Sequence, residues 1–250
     1  FFSVNLACSF YKVVHFLDFF CNISRNLWYN ILMKKFTNLL FDFDGTLFDT
    51  SEGIFNSMQK VCSHYNLNYH EDTFRKMIGP SLNESFSTIF HLPKSEIQNA
   101  INIYREYYST EGMYQCTPYP QIVELIKALK EDGKQIFIAT SKPEIYTKQI
   151  LEKKDLLKLF NFTGGADLTE QIRCEKVDVI NYVLKENHLE NQKDSCLMIG
   201  DRNYDIKGAH LAGLKALGIL WGFGSRQEFE KANADFILEK PEELLAFLTE

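Results

Sequence analysis

The chain has 250 residues, of which 45% are hydrophobic and 24% charged, a globular composition that sets aside a disordered or fibrous chain. A net charge of −6 with no basic run argues against a dedicated nucleic-acid binder, because affinity for a phosphate backbone needs clustered Lys and Arg. Six scattered cysteines form no Cys-x-x-Cys pair, so no zinc or thioredoxin-like site is indicated, and reduced thiols in a cytoplasmic protein are the simplest account.

Residues 1–32 are rich in aromatic side chains and lack clear periodicity. Lys12, His15 and Asp18 interrupt any apolar run long enough for a membrane helix or a secretory signal. Met33-Lys34-Lys35 reads as a natural start, which makes 1–32 an upstream extension or fusion remnant. A short membrane-surface anchor is the other reading.

From residue 38 strand-like and helix-like segments alternate. Asn38–Phe43 is a short apolar run that suits a buried strand, and Gln135–Thr140, Ser195–Gly200, Lys215–Leu220 and Ala234–Leu238 repeat the pattern. Phe160–Thr163 is expected to add a short strand. Between them Ile122, Val123, Leu125, Ile126 and Leu129 fall on one helical face, with Gly133 as the stop. Val177, Ile180, Val183 and Leu184 mark a second helix, and Ile206, Ala209, Leu211 and Ala212 a third. Such alternation predicts an α/β fold, a Rossmann-like parallel sheet with helices on both faces and ligands at the carboxyl ends of the strands. Residues 50–118 break it with amphipathic segments near 51–66, 71–78, 82–91 and 94–110 and no convincing strand. They read as an inserted all-helical cap domain, leaving 33–49 and 119–250 as the catalytic core.

Four polar clusters stand at strand ends. Asp42-Phe43-Asp44-Gly45-Thr46 could by itself be a turn. Thr140-Ser141-Lys142 is a hydroxyl-rich loop, and Lys176 alone is an ordinary solvated charge. Asp201-Arg202-Asn203-Tyr204-Asp205 could equally cap the following helix.

In this order and spacing the clusters resemble the four signature motifs of the haloacid dehalogenase superfamily. The likeness spans residues 38–249 and is closest to the phosphoglycolate phosphatase-like branch, which carries a small helical cap. Ile78-Gly79-Pro80-Ser81, Arg173-x-x-Lys176 and Leu220-Trp221-Gly222-Phe223-Gly224 add to it. The resemblance implies a Mg²⁺-dependent phosphatase with Asp42 as nucleophile and Asp44 as the acid and base. It implies that Mg²⁺ is held by Asp42, the main-chain carbonyl of Asp44 and Asp201, with Asp205 at the same pole. Lys176 would offset the charge on Asp42 and the phosphoryl group, and Thr140 and the Ser141 N–H would bond its oxygens, with Gly45 keeping the backbone clear beside them. The chemistry agrees: a carboxylate nears a phosphate dianion only where positive charge is held close by, and Mg²⁺ prefers oxygen ligands. An Asp two residues after the nucleophile separates phosphoryl-transfer members from dehalogenases, which need no acid for a phosphate-ester leaving group.

Substrate choice is expected to lie with the cap, with Gly79, Pro80 and Ser81 as its substrate loop and Asp49 and 117–120 as hinges. Arg75, Lys76 and His64 read as solvent-facing. A small phosphorylated metabolite is expected: phosphoglycolate first, a nucleoside 5′-monophosphate second, pyrophosphate or a sugar phosphate third. A phosphomutase and a phosphate-binding regulatory pseudoenzyme are the rival readings. No nucleic-acid or membrane partner is expected, and the protein is read as a monomer or homodimer.

Overall fold

A computed structural model describes residues 36–168 and 172–249, so the reading of 1–32 as an extension lies outside the described residues. Six parallel strands form the central sheet in the order β5-β4-β1-β6-β7-β8. They are β1 (Asn38–Phe41), β4 (Gln135–Pro143), β5 (Phe162–Ala166), β6 (Cys196–Gly200), β7 (Lys215–Ile219) and β8 (Phe236–Leu238). The α/β class expected from the alternation is the class observed.

The two-residue period of a strand decides which side chain serves which face. Leu39, Phe41, Ile136, Ile138, Leu197, Ile199, Leu217 and Ile219 belong to one apolar cluster. Their alternating neighbours Leu40, Phe137, Ala139, Met198 and Ala216 belong to the other. Both faces are therefore dry, which is why these strands read as unbroken apolar runs. Helices α5 (Ile122–Glu131) and α10 (Pro241–Thr249) cover the first face through Ile122, Ile126, Leu129, Leu244 and Leu248. Helices α7 (Lys176–Glu186) and α8 (Asn203–Ala212) cover the second through Val179, Ile180, Val183, Ile206 and Ala209. Helix α6 (Glu144–Lys153) follows β4, and the short α9 (Arg226–Lys231) follows β7.

Between β2 (Phe48–Asp49) and β3 (Thr117–Pro118) the chain is helical: α1 (Ser51–Tyr65), α2 (Glu71–Arg75), α3 (Leu82–Glu84) running on through a wider turn to Ile89, and α4 (Lys94–Tyr108). Helices α1 and α4 bury Ile54, Met58 and Val61 beside Ile97, Ala100, Ile101 and Tyr104. These side chains join the same apolar cluster as the first sheet face, so the two regions share a continuous dry contact. Arg75, Lys76 and His64 are exposed, as their residue types suggest.

Three local differences from the sequence reading have physical reasons. The pair β2–β3 is an antiparallel ladder of two residues a side, too short to leave a periodic signal. Strand β5 runs to Ala166 and not only to Thr163, through Gly164 and Gly165. Those glycines have low strand propensity, yet a Cβ on Gly164 would come within 2.4 Å of Val183 and one on Gly165 within 2.5 Å of the Lys142 carbonyl oxygen, so close packing demands them. Strand β8 begins at Phe236, two residues later than expected; the Asp235 N–H just before it already bonds Ala216 O at 3.0 Å, while the next contact to Ala216, from its N–H, is taken by the Asp235 side chain.

Asp235 pins that outer strand. Its carboxylate accepts from the Ala216 N–H at 2.9 Å, and it lies 2.6 Å from Lys215 Nζ and 2.9 Å from His210 Nε2. Partial burial pushes its pKa up, but the lysine, the amide and the histidine together bring it below the ordinary carboxylate value. A depressed pKa contributes stability that is present above the unfolded-state value and lost as pH falls through the folded one. Asp235→Asn should therefore lower the melting temperature at pH 7. The gap to the parent should shrink as pH falls below about 4, measured by thermal unfolding across a pH series.

Candidate active site

The polar clusters meet at the carboxyl ends of β1, β4 and β6, where a parallel sheet presents its loops to a ligand. Asp42 follows β1 directly and donates its backbone N–H to Ile199 O at 2.9 Å, so it is still held in sheet register. Asp44 follows two residues later. Thr140, Ser141 and Lys142 lie within the final residues of β4, which runs on to Pro143 where the sequence suggested a loop; Lys176 is the first residue of α7, Asp201 follows β6, and Asp205 lies in the first turn of α8.

The Lys176 ammonium sits at the centre, only 6% exposed. It is 2.7 Å from Asp42 Oδ1 and 2.8 Å from Asp205 Oδ1, and it donates to Ala139 O at 3.2 Å. Asp205 also accepts from the Arg202 N–H at 3.0 Å, closing the first turn of α8. Asp201 is fully buried and accepts from the Phe223 N–H at 2.8 Å, with the Thr46 hydroxyl 3.5 Å from its other oxygen. Trp221 Nε1 donates to Thr46 O at 3.1 Å, so the 220–224 segment folds over the acidic residues.

Gly45 has φ +81°, and a Cβ there would lie 2.1 Å from Asp201 Oδ2, so only glycine lets this turn approach the carboxylate. Its N–H is bonded to Phe48 O at 2.8 Å. Gly45 thus serves the close approach of backbone to Asp201, and its amide is committed within the turn.

Burial and mutual repulsion dominate the electrostatics. Burial pushes the Asp42 pKa up to about 6, with Lys176 opposing the rise and Asp205 and Asp44 adding to it. Burial, then the charges of Asp205 and Asp42, hold Asp201 well above the ordinary carboxylate value. For Lys176 burial disfavours the charged form, but Asp205 and Asp42 outweigh it and raise its pKa.

Asp42, Asp201 and Asp205 each bring one carboxylate oxygen within 4.8 Å of the others. The ammonium of Lys176 is shared between two of them, and an excess of negative charge is left in a buried place. An all-oxygen set of that charge fits a hard divalent cation such as Mg²⁺ and does not fit a soft, thiolate-seeking metal.

These groups open onto a cavity of about 560 Å³ that Gly79, Pro80 and Ser81 also line. Its floor carries Asp42, Asp44, Thr140, Ser141, Lys142, Lys176 and Asp205, and its walls include Ile54, Met58, Met77, Ile78, Tyr104, Tyr108 and Tyr146. Every predicted site residue except Gly45 and the deeper Asp201 reaches that cavity. Two groups of site residues escaped the sequence reading. Lys142 forks onto Asp44 at 2.8 and 2.9 Å, although it stood in view within the second cluster. Tyr104 and Tyr108, four apart on one face of α4, carried a spacing signal for the cavity wall.

A family model described as haloacid dehalogenase-like hydrolase matches residues 39–219. A 5′-nucleotidase from Pseudomonas aeruginosa is 32% identical over 78% of this chain and 87% of its own length. Pyrophosphatase PpaX from Bacillus mycoides is 29% identical over 86% of this chain and 98% of its own. The crystal structure of a predicted phosphatase from Clostridium acetobutylicum superposes with a TM-score of 0.80 at 34% identity, over 84% of this chain and 97% of that one. With the acidic cluster, the buried lysine and the parallel sheet in the arrangement that the motifs imply, the chain belongs to the haloacid dehalogenase-like hydrolase family.

Proposed function

We propose that the chain hydrolyses a small phosphate monoester, Asp42 taking the phosphoryl group and Asp44 carrying the proton. The observation that supports this best is the convergence of Asp42, Lys176 and Asp205 on the floor of one cavity, with Asp44 beside them and the deeper Asp201 bringing a carboxylate oxygen within 4.8 Å of those of Asp42 and Asp205. An Asp42 oxygen forms a bond to phosphorus as the bond from phosphorus to the leaving oxygen breaks, and that oxygen takes a proton from Asp44. Water then attacks the phosphorus of the aspartyl phosphate and gives a proton to Asp44. Asp42 is released as a carboxylate together with inorganic phosphate. Lys176 orients the nucleophile through Oδ1 and offsets its charge. Thr140 and Ser141 are assigned to the phosphoryl oxygens. Asp42, Asp201, Asp205 and the Asp44 carbonyl are the groups that would hold Mg²⁺, which when bound supplies positive charge against the phosphate.

In the same reading α1–α4 act as a cap that roofs the site, with Gly79-Pro80-Ser81 facing the substrate. The substrate preference follows the roof. Phosphoglycolate has a two-carbon acid as its leaving part and would fill little of a cavity of about 560 Å³. The apolar and aromatic walls suit a larger, flat organic group, and a relative at 32% identity is named 5′-nucleotidase. A nucleoside 5′-monophosphate therefore moves ahead of phosphoglycolate, and pyrophosphate follows from the relatives named PpaX.

A panel of phosphorylated metabolites assayed with Mg²⁺ and ranked by kcat/KM tests the substrate. A nucleoside monophosphate is expected above phosphoglycolate and pyrophosphate, and the reverse order rejects the preference. Asp42→Asn should lower kcat by at least about 10⁴-fold, because an amide is a poor nucleophile. Activity within tenfold of the parent would refute the mechanism.

The metal assignment has a readout apart from turnover. Asp201→Asn removes one of several crowded buried carboxylates, so in EDTA its melting temperature should exceed the parent's by a few degrees. Millimolar Mg²⁺ should raise the parent's melting temperature by mass action and leave the variant's nearly unchanged. Equal responses to Mg²⁺ would remove Asp201 from the metal site.

A further inference from the structure

Lys142 is 7% exposed, and its ammonium forks onto both oxygens of Asp44, at 2.8 and 2.9 Å. Its backbone N–H is tied to Thr140 Oγ1 at 3.2 Å, which fixes the strand end from which the side chain departs. Tyr108 of α4 also lies over the ammonium, 4.9 Å from Nζ to the ring centre, with the Phe43 ring centre at 5.8 Å. Tyr108 is itself 4% exposed and packs in the cavity wall, stacked on Tyr104 at 5.2 Å. A lysine in this position has little access to water. Its charge is met by one carboxylate and by aromatic faces.

We propose that Lys142 is a positioning residue: it sets the direction of the Asp44 carboxyl toward the leaving oxygen, and Tyr108 locks it there by excluding water from the roof side. The proposal rests on the reading of Asp44 as the group that protonates the leaving oxygen. A carboxyl that must meet one particular oxygen needs a fixed torsion, and Asp44 is half-buried on a turn with space around it in the cavity. An ammonium held almost equidistant from both oxygens fixes the torsion about Cα–Cβ, and so the direction in which the carboxyl points. Because the lock comes from α4 and the fork from β4, the proton-carrying group is aligned only when the helical roof is seated.

The test uses two leaving groups in the full chain with Mg²⁺. p-Nitrophenolate leaves as a stable anion and needs no proton, whereas the alkoxide of uridine 5′-monophosphate or of phosphoglycolate, whichever the metabolite panel ranks higher, does need one. The ratio of kcat/KM for the aryl ester to that for the alkyl ester isolates protonation in the first step, because kcat/KM ends at formation of the aspartyl phosphate. Lys142→Met should raise this ratio by roughly 30- to 100-fold, less than the full loss of a general acid, which is worth about 10²- to 10⁴-fold. Tyr108→Leu should raise it in the same direction by less.

Lys142→Gln accompanies Lys142→Met in case the longer apolar chain disturbs folding, with circular dichroism as the check. An equal loss on both esters in whichever variant folds would mean that Lys142 binds phosphate or merely packs, and would overturn the proposal. Asp44→Asn sets the scale. If it too leaves the ratio unchanged, the assignment of Asp44 has failed. If it shifts the ratio and the Lys142 variants do not, only the positioning role has failed.

Discussion

The Lys176 ammonium is a full charge in a place that water barely reaches, and the rest of the site is arranged around making that tolerable. Burying such a group costs several kcal/mol unless it is paired and hydrogen-bonded. Here Asp42, Asp205 and the Ala139 carbonyl all point at it, from β1, α8 and β4. One side chain at the start of α7 therefore ties three other elements together. It also anchors Asp42 at one oxygen, donating to Oδ1 at 2.7 Å. The same contact is incomplete as a neutralisation. Asp201 brings a further buried negative charge, answered by one amide and a distant hydroxyl. The raised pKa values of Asp42 and Asp201 express burial first and that crowding second. A cluster with surplus negative charge is a poor stabiliser of the fold and a good receptor for a divalent cation, which is the trade expected at a functional site.

What holds crowded carboxylates together against their repulsion is the sheet beneath them. Leu39 to Phe41, Ile136 to Ala139 and Leu197 to Ile199 are buried on both faces, so β1, β4 and β6 cannot slide or splay without exposing apolar surface on two sides at once. Asp42, Thr140 and Asp201 sit at or just past the ends of those strands and inherit their register. The loops that carry chemistry are thus short continuations of rigid strands, and their geometry is set by packing more than by their own preferences.

Much of this was legible in the sequence because the signals are local. The unbroken apolar runs named β1, β4, β6 and β7, and Gly133 marked a helix end by a known backbone preference. Asp42, Asp44, Lys176, Asp201 and Asp205 stood out through their places after those runs. What stayed hidden depends on which side chains face each other across the fold. Nothing in Thr140-Ser141-Lys142 says that Lys142 turns toward Asp44 while Ser141 turns toward the cavity. Nor could the sequence say that Gly164 and Gly165 continue a strand, since their reasons are the Val183 side chain beside Gly164 and the Lys142 and Glu144 backbone beside Gly165. Arg202 is a further case. It donates to Ile78 O and pairs with Glu228 at 3.0 Å, linking the loop beside Asp201 to the segment that carries Gly79, a link made only by the folded chain.

The roof and floor of the cavity are different materials, and that difference bears on how one floor can serve several substrates. The floor is charged and tied into the sheet, with Asp42, Asp44, Lys142, Lys176 and Asp205 all joined in buried or half-buried ion pairs. The roof is made of Met58, Met77, Tyr104 and their neighbours, which contact a ligand through shape and apolar area. Substitutions in the roof can alter the organic part that fits without disturbing the charges that handle phosphate. Relatives named for a nucleotidase and for a pyrophosphatase can accordingly share one arrangement of acidic residues. The separation is not complete, because roof and sheet share one apolar cluster and because Tyr108 covers the lysine that grips Asp44. A change in the roof that moved α4 would admit water to that ion pair, so variation in substrate is constrained most where the two materials touch.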